Sequence, residues 1–165
     1  MITPELEATL HQVFVEATRK RHSMITVEHL LLALIDNAMA AAVLKACAAD
    51  VDVLRQELTQ FIEENTPKAE AGQGEVETVE TQPTLGFQRV IQRAILNVQA
   101  SGKKEVSGAN ILAAIFSEKD SHAVFFLQKH DIFDWLDSHR QRLPLNYPLL
   151  LPLVLSSIFV HDCCH

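Results

Sequence analysis

The 165-residue chain holds only one tryptophan, one tyrosine and three cysteines. The cysteines are Cys47, Cys163 and Cys164, an odd set with two side by side at one end. That pattern excludes a disulfide framework and fits a reducing compartment, so a cytoplasmic location is expected. No basic run occurs and the formal net charge is −7. A nucleic-acid surface, which needs a basic patch or stripe, is therefore not expected. His-Glu-x-x-His and Cys-x-x-Cys spacings are both missing, which leaves metal binding without a motif. A G-x-x-x-x-G-K-[ST] phosphate loop is missing too, as is any nucleophile set of serine, histidine and acid. The chain reads as a non-enzyme with no cofactor. Residues 1–22 carry acids early and no apolar core segment, so no signal peptide is expected.

What is present is helical periodicity. Hydrophobic residues make up 48% and charged residues 21%, a globular balance. In residues 4–20, Leu6, Leu10, Val13, Phe14 and Ala17 recur at helical spacing behind Thr3 and Pro4, a cap followed by proline at the first helical position. Thr26 opens a second helix to Ile35 with Glu28 in its first turn. An alanine-rich helix over 38–48 carries Cys47, which reads as a small core residue. Asp50 caps a fourth helix over 51–64, with Val51, Leu54, Leu58, Phe61 and Ile62 on one face. Residues 65–83 then change character. They combine Gly72, Gly74, Pro67 and Pro83 with Glu70, Glu75, Glu77 and Glu80, which reads as an acidic, flexible linker. Periodicity resumes at Thr84. Leu85, Phe87, Val90, Ile91, Ala94, Ile95 and Val98 form the apolar face of a long helix that Gly102 ends. Ser107 caps a helix to Phe116, and residues 121–130 form a short one.

These helices repeat. TVEHLLLALI at 26–35 and SGANILAAIF at 107–116 both open on a hydroxyl residue and put a polar residue three places on, His29 or Asn110. The offset, 107 − 26 = 81, also pairs Leu10 with Ile91, Phe14 with Ile95, Leu30 with Ile111 and Leu34 with Ile115. After a two-residue gap Val43–Leu44 matches Phe126–Leu127. A repeat present only twice is no solenoid. It implies an all-α, pseudo-twofold domain over 1–142, with halves 1–64 and 84–142 that bury their central helices against each other.

The strings MITVEHLLLALI at 24–35, TQPTLGFQRVIQRAI at 81–95, GANILAAIFSE at 108–118 and KHDI at 129–132 resemble the N-terminal domain of Clp ATPases, most of all the ClpA type. The resemblance runs over about residues 1–132. It implies two four-helix halves and a docking module that receives adaptor proteins and substrates above a hexameric ring. Its implied partner is the adaptor ClpS, with the AAA+ modules and the ClpP peptidase entering only in a full-length chain. By the same resemblance the adaptor-facing positions are His22, Ser23, Glu28, Thr84 and Arg89. Family members often carry an acid where Ser23 stands. From the residues alone, Glu28 reads equally as a first-turn acid serving the helix dipole, and Arg89 and Arg93 as a solvated helix face. His22 is the one candidate for adventitious zinc, and an ordinary surface histidine is the favoured reading. His22 and His29 flank one turn, and His29 reads as a capping or packing residue.

Residues 143–165 depart from the pattern. LPLNYPLLLPLVLSSIFV at 143–160 is apolar but interrupted by Pro144, Pro148 and Pro152, which oppose a regular helix and a membrane span. HDCCH at 161–165 has ligand-type residues in poor zinc geometry. A shift of reading frame near residue 132 is the expected origin of this tail. The alternatives are a stand-alone Clp N-domain acting as a free regulator, or a small membrane- or metal-binding protein acting through the tail.

Overall fold

The computed structural model describes residues 1–69 and 80–132. The all-α expectation holds. In chain order the elements are α1 (Pro4–Arg19), β1 (Met24–Ile25), α2 (Val27–Leu34), α3 (Ala38–Ala46), α4 (Val51–Asn65), β2 (Gln82–Pro83), α5 (Leu85–Ala100), α6 (Gly108–Ile115) and α7 (His122–Lys129). The fourth helix expected in the second half, the tail at 143–165 and the proposed break past residue 132 all lie outside the described residues.

Local chemistry sets the helix starts. Thr3 Oγ1 accepts the Leu6 N–H, and Pro4 follows it as the first helical residue. Asp50 caps α4 through the Val53 N–H, and Thr84 caps α5 through the Phe87 N–H. At α2 the cap is reciprocal: the Thr26 N–H donates to His29 Nδ1 at 3.2 Å. At α6 the Ser107 N–H donates to Asn110 Oδ1 at 2.9 Å. His29 is thus the capping residue expected.

The repeat is visible residue by residue. After α1 the chain turns through Arg21 at φ 57°, and after α5 through Gly102 at φ 73°. The His22 N–H closes the first turn on the Ala17 carbonyl, and the Lys103 N–H closes the second on Val98. Glycine meets this left-handed demand freely, whereas Arg21 does so at a cost of roughly 1 kcal/mol. The shifted register reappears after α3 and α7, where Ala48 and Asp131 have φ 55° and 56° and stand 131 − 48 = 83 residues apart. Short lead-in segments cross between the halves. The Thr3 N–H bonds to the Val106 carbonyl, and the Thr84 N–H bonds to Ile25. Each half's lead-in therefore pairs with the other half's turn. One crossing is the parallel β1–β2 ladder, with Met24 opposite Gln82 and Ile25 opposite Pro83. This short ladder was not expected from the sequence.

Leu30, Leu31 and Leu34 of α2 and their counterparts Ile111, Leu112 and Ile115 of α6 are fully buried. They share one core with Leu6, Leu44, Leu54, Leu58 and Leu127, which is the burial of paired central helices that the repeat implies. Cys47 lies in this core, where burial pushes its thiol up to about 12. Two expectations need correction. Leu85 is 71% exposed, because it is the first residue of α5 and its side chain precedes the helix's packed face. The segment 65–83 is not free at its ends. Asn65 closes α4, and residues 67–69 and 81–83 flank the turn at 21–25.

Candidate docking site

The turn after α1 is the middle strand of a small clasp. On one side the Ser23 N–H donates to the Pro67 carbonyl at 3.0 Å, and the Ala69 N–H donates to the Arg21 carbonyl at 3.0 Å. On the other side the Thr81 hydroxyl donates to the His22 carbonyl at 2.9 Å, and the Gln82 N–H to Ser23 at 3.3 Å. This backbone pairing draws Ser23 and Thr84 to one edge, although 61 residues separate them (84 − 23). Both are half-buried. The Ser23 hydroxyl donates to Pro67 at 3.1 Å.

His22 is fully buried, which corrects its reading as a surface histidine. Its Nδ1 lies 2.9 Å from His29 Nε2, so the two rings flanking the turn do meet. His22 Nε2 has no hydrogen-bond partner and stands 3.9 Å from Glu63 Oε1. Burial lowers the His22 pKa below the ordinary histidine value, against the pull of Glu63. In this conformation the ring cannot face a partner. It shapes the turn from inside. Among the described residues no group of three or more His, Cys, Asp or Glu is placed to hold a metal ion.

Glu28 is also buried, only 7% exposed, so its carboxylate is not a free handle for a partner. Its Oε1 accepts the Ser121 hydroxyl at 2.9 Å and the Ala123 N–H at 3.1 Å. The carboxylate of α2 thus caps α7, about 93 residues away in sequence. Burial pushes its carboxyl up, but hydrogen bonds from Thr26, its own backbone, Ser121 and Ala123 outweigh this and the pKa is lowered.

Arg89, one turn into α5, is 53% exposed at its side chain. Its guanidinium donates to Glu118, Nε to Oε1 at 3.1 Å and a terminal nitrogen to the same oxygen at 2.5 Å. Arg93 reaches Glu118 Oε2 at 3.4 Å. Glu118 is buried, and its hydrogen bond from Arg89 leads the effects that hold its carboxyl below the usual range. The two arginines are therefore not simply a solvated face. Glu118 and Asn37 were not singled out from sequence. Asn37 is 3% exposed, caps α3 through the Ala40 N–H and donates to Thr9 Oγ1 at 3.0 Å. An asparagine directly before an alanine-rich helix is the signal that identifies it.

What remains accessible is a strip formed by Ser23, Met24 at 37% exposure, Thr84, Leu85 and Arg89. It has one projecting leucine and one half-exposed arginine held on Glu118.

Comparison with known proteins agrees with the fold. Residues 1–130 match the Clp repeat (R) N-terminal domain. The chain belongs to that family. It is 48% identical over 127 residues to the "ClpA homolog protein" of Fuscovulum blasticum, a match that takes in 77% of this chain and 16% of that relative. The chain thus corresponds to a small part of the relative's length. A solved structure described by the words "Coevolution of the ATPase ClpV, the TssB-TssC Sheath and the Accessory HsiE Protein Distinguishes Two Type VI Secretion Classes" shares the fold. It gives a TM-score of 0.64 at 11% identity, covering 86% of this chain and 85% of that one. The domain is accordingly a Clp N-domain of the ClpA-like kind. Among the described residues no single helix is long and apolar enough to cross a membrane.

Proposed function

We propose that this domain is an adaptor- and substrate-docking module for a ClpA-type AAA+ unfoldase, and that it binds ClpS through the strip at Ser23, Thr84, Leu85 and Arg89. In this reading the unfoldase modules belong to a full-length chain, the ClpP peptidase is a separate partner of that chain, and this domain contributes recognition to ATP-dependent proteolysis. The observation that carries the reading is the β1–β2 pairing. It sets the turn at Ser23 beside the N-terminus of α5, with Leu85 projecting from the first helical position at 71% exposure. In this reading His22 and Glu28 act behind the surface: His22 supports the turn, and Glu28 ties α2 to α7.

A calorimetric titration of the full chain with ClpS tests this. Leu85→Asp is expected to weaken binding about tenfold or more, the value of burying one leucine. Leu96 is also exposed, at 64%, but lies 11 residues further along α5 (96 − 85), about 16 Å away. Leu96→Asp should bind as the native chain does. Absence of measurable ClpS affinity in the native chain, or equal effects of the two variants, removes the reading.

A further inference from the structure

We propose that the buried His22–His29 pair is a proton-operated latch: uptake of one proton breaks the cap of α2 and releases residues 66–69 and 81–84 from the turn at 21–25. The argument starts from the direction of the hydrogen bonds. The Thr26 N–H is a backbone donor and lies 3.2 Å from His29 Nδ1. The Thr26 hydroxyl also lies 2.9 Å from Nδ1 and can donate or accept there, but the amide can only donate, so the tautomer that keeps the amide bond carries its ring proton on Nε2. That Nε2–H points to His22 Nδ1 at 2.9 Å, which makes Nδ1 the acceptor and leaves the His22 proton on Nε2. The chain Thr26, His29, His22 thus has one polarity, set by the amide at one end and finishing on the unpartnered His22 Nε2–H at the other.

An added proton cannot be placed without breaking one of these bonds. On His29 Nδ1 it can reach the Thr26 hydroxyl at 2.9 Å, but it displaces the Thr26 N–H from that nitrogen. On His22 Nδ1 it faces the His29 Nε2–H. If His29 changes tautomer to receive it, its own proton moves to Nδ1 and again meets the Thr26 amide. Every singly protonated arrangement breaks either the Thr26 N–H bond or the bond between the rings. Burial holds both rings below the ordinary histidine range, His29 at about 4.

The surroundings define the route of release. The charged groups acting on the pair are Lys20 at the end of α1, Glu28 of α2, Glu63 of α4 and Lys68 of the connector. Glu63 already holds Lys20 and Lys68 at 2.8 Å each, and these bonds lower its carboxyl to about 2. It is the anion nearest to His22, 3.9 Å from Nε2. A cavity of about 210 Å³ between α1, α2 and α4 is lined by both histidines, and Glu16, Asp36 and Arg55 share it as further charged groups, with Asp36 and Arg55 paired to each other. Movement of His22 toward Glu63 drags the backbone that pairs with Lys68 and accepts the Thr81 hydroxyl. The second half supplies a built-in control. There Lys103 stands for His22 and Asn110 for His29, and an amide cap does not titrate near neutrality.

Nuclear magnetic resonance on the full chain tests the latch by amide exchange at pH 7 and pH 5. Protection factors at Ser23, Ala69 and Gln82 are expected to fall roughly tenfold more than those at Thr3 and Val106, the amides of the equivalent crossing. His29→Asn, which copies the second half's cap, is expected to abolish that difference. Equal falls at both crossings, or a pH response that survives in His29→Asn, overturn the proposal. If His29→Asn does not fold, the imidazole nitrogen shifts of the native chain decide. Nδ1 of His29 found protonated at neutral pH overturns it, and Nε2 found protonated there supports it.

Discussion

Glu28 sits in the first turn of α2, but the backbone group it caps belongs to α7. Replacing it with alanine leaves the Ala123 N–H and the Ser121 hydroxyl without this acceptor, so a loss of about 1–3 kcal/mol is expected in urea denaturation. Glu28→Gln keeps an acceptor oxygen and should cost less. The carboxyl is lowered in the fold, so its contribution is present above its unfolded value of 4.5 and fades as pH falls through the folded one. His29 acts at higher pH and in the same direction. Its stability contribution is complete above the unfolded value of 6.5 and is lost as pH falls toward the folded value of about 4. Denaturation midpoints measured from pH 7.5 to pH 4.5 should therefore drop first over the histidine range, and that early drop should be smaller in His29→Asn. Ion pairs divide by burial. Asp36 and Arg55 are about half exposed, at 55% and 40%, so Asp36→Asn should change stability by less than about 1 kcal/mol. Glu118 is 7% exposed under two arginines, and Glu118→Gln should cost clearly more by the same denaturation assay.

Helix packing across the halves makes its own demands. A Cβ added at Gly108 would fall 2.1 Å from Asn37 Oδ1, at the point where the cap of α3 touches the first turn of α6. Gly108→Ala is therefore expected to destabilise by about 1–3 kcal/mol. At Gly86 the nearest atom, Val27 Cγ2, would be 3.4 Å away, so Gly86→Ala should be neutral or slightly stabilising. Thermal melts of the two variants side by side check this contrast. The helices were legible because their signals are local. Thr3, Thr26, Asp50 and Ser107 each announce a start within four residues, and apolar spacing marks the faces. The double repeat was legible because identical burial demands recur at an offset of 81, as Leu30 and Ile111 show. The burial of His22 and Glu28 was not. Each is a polar residue next to a turn or helix start, where exposure is the ordinary outcome, and their partners come from long-range packing or from the rotamer of another buried ring. The β1–β2 ladder escaped for a related reason: a pair of two-residue strands has no room to show period 2.

In the whole molecule the halves are joined by exchanged backbone as well as by apolar contact. Ile2 bridges to Val106, Ile25 pairs with Pro83, and Glu57 of α4 forms an ion pair with Lys129 of α7 and a hydrogen bond with Nε2 of His130 just beyond it. Cleavage at a protease site engineered between residues 69 and 80 should therefore leave two pieces that elute together from a sizing column in native buffer and separate only in denaturant. The exchange has a consequence for symmetry. The bond from Thr3 to Val106 and the bond from Thr84 to Ile25 are the same contact made twice in opposite directions. In an isologous contact between identical chains, every such contact occurs twice in this way. The two halves of this one chain therefore meet as the subunits of a symmetric homodimer do, each supplying the lead-in that the other's turn binds.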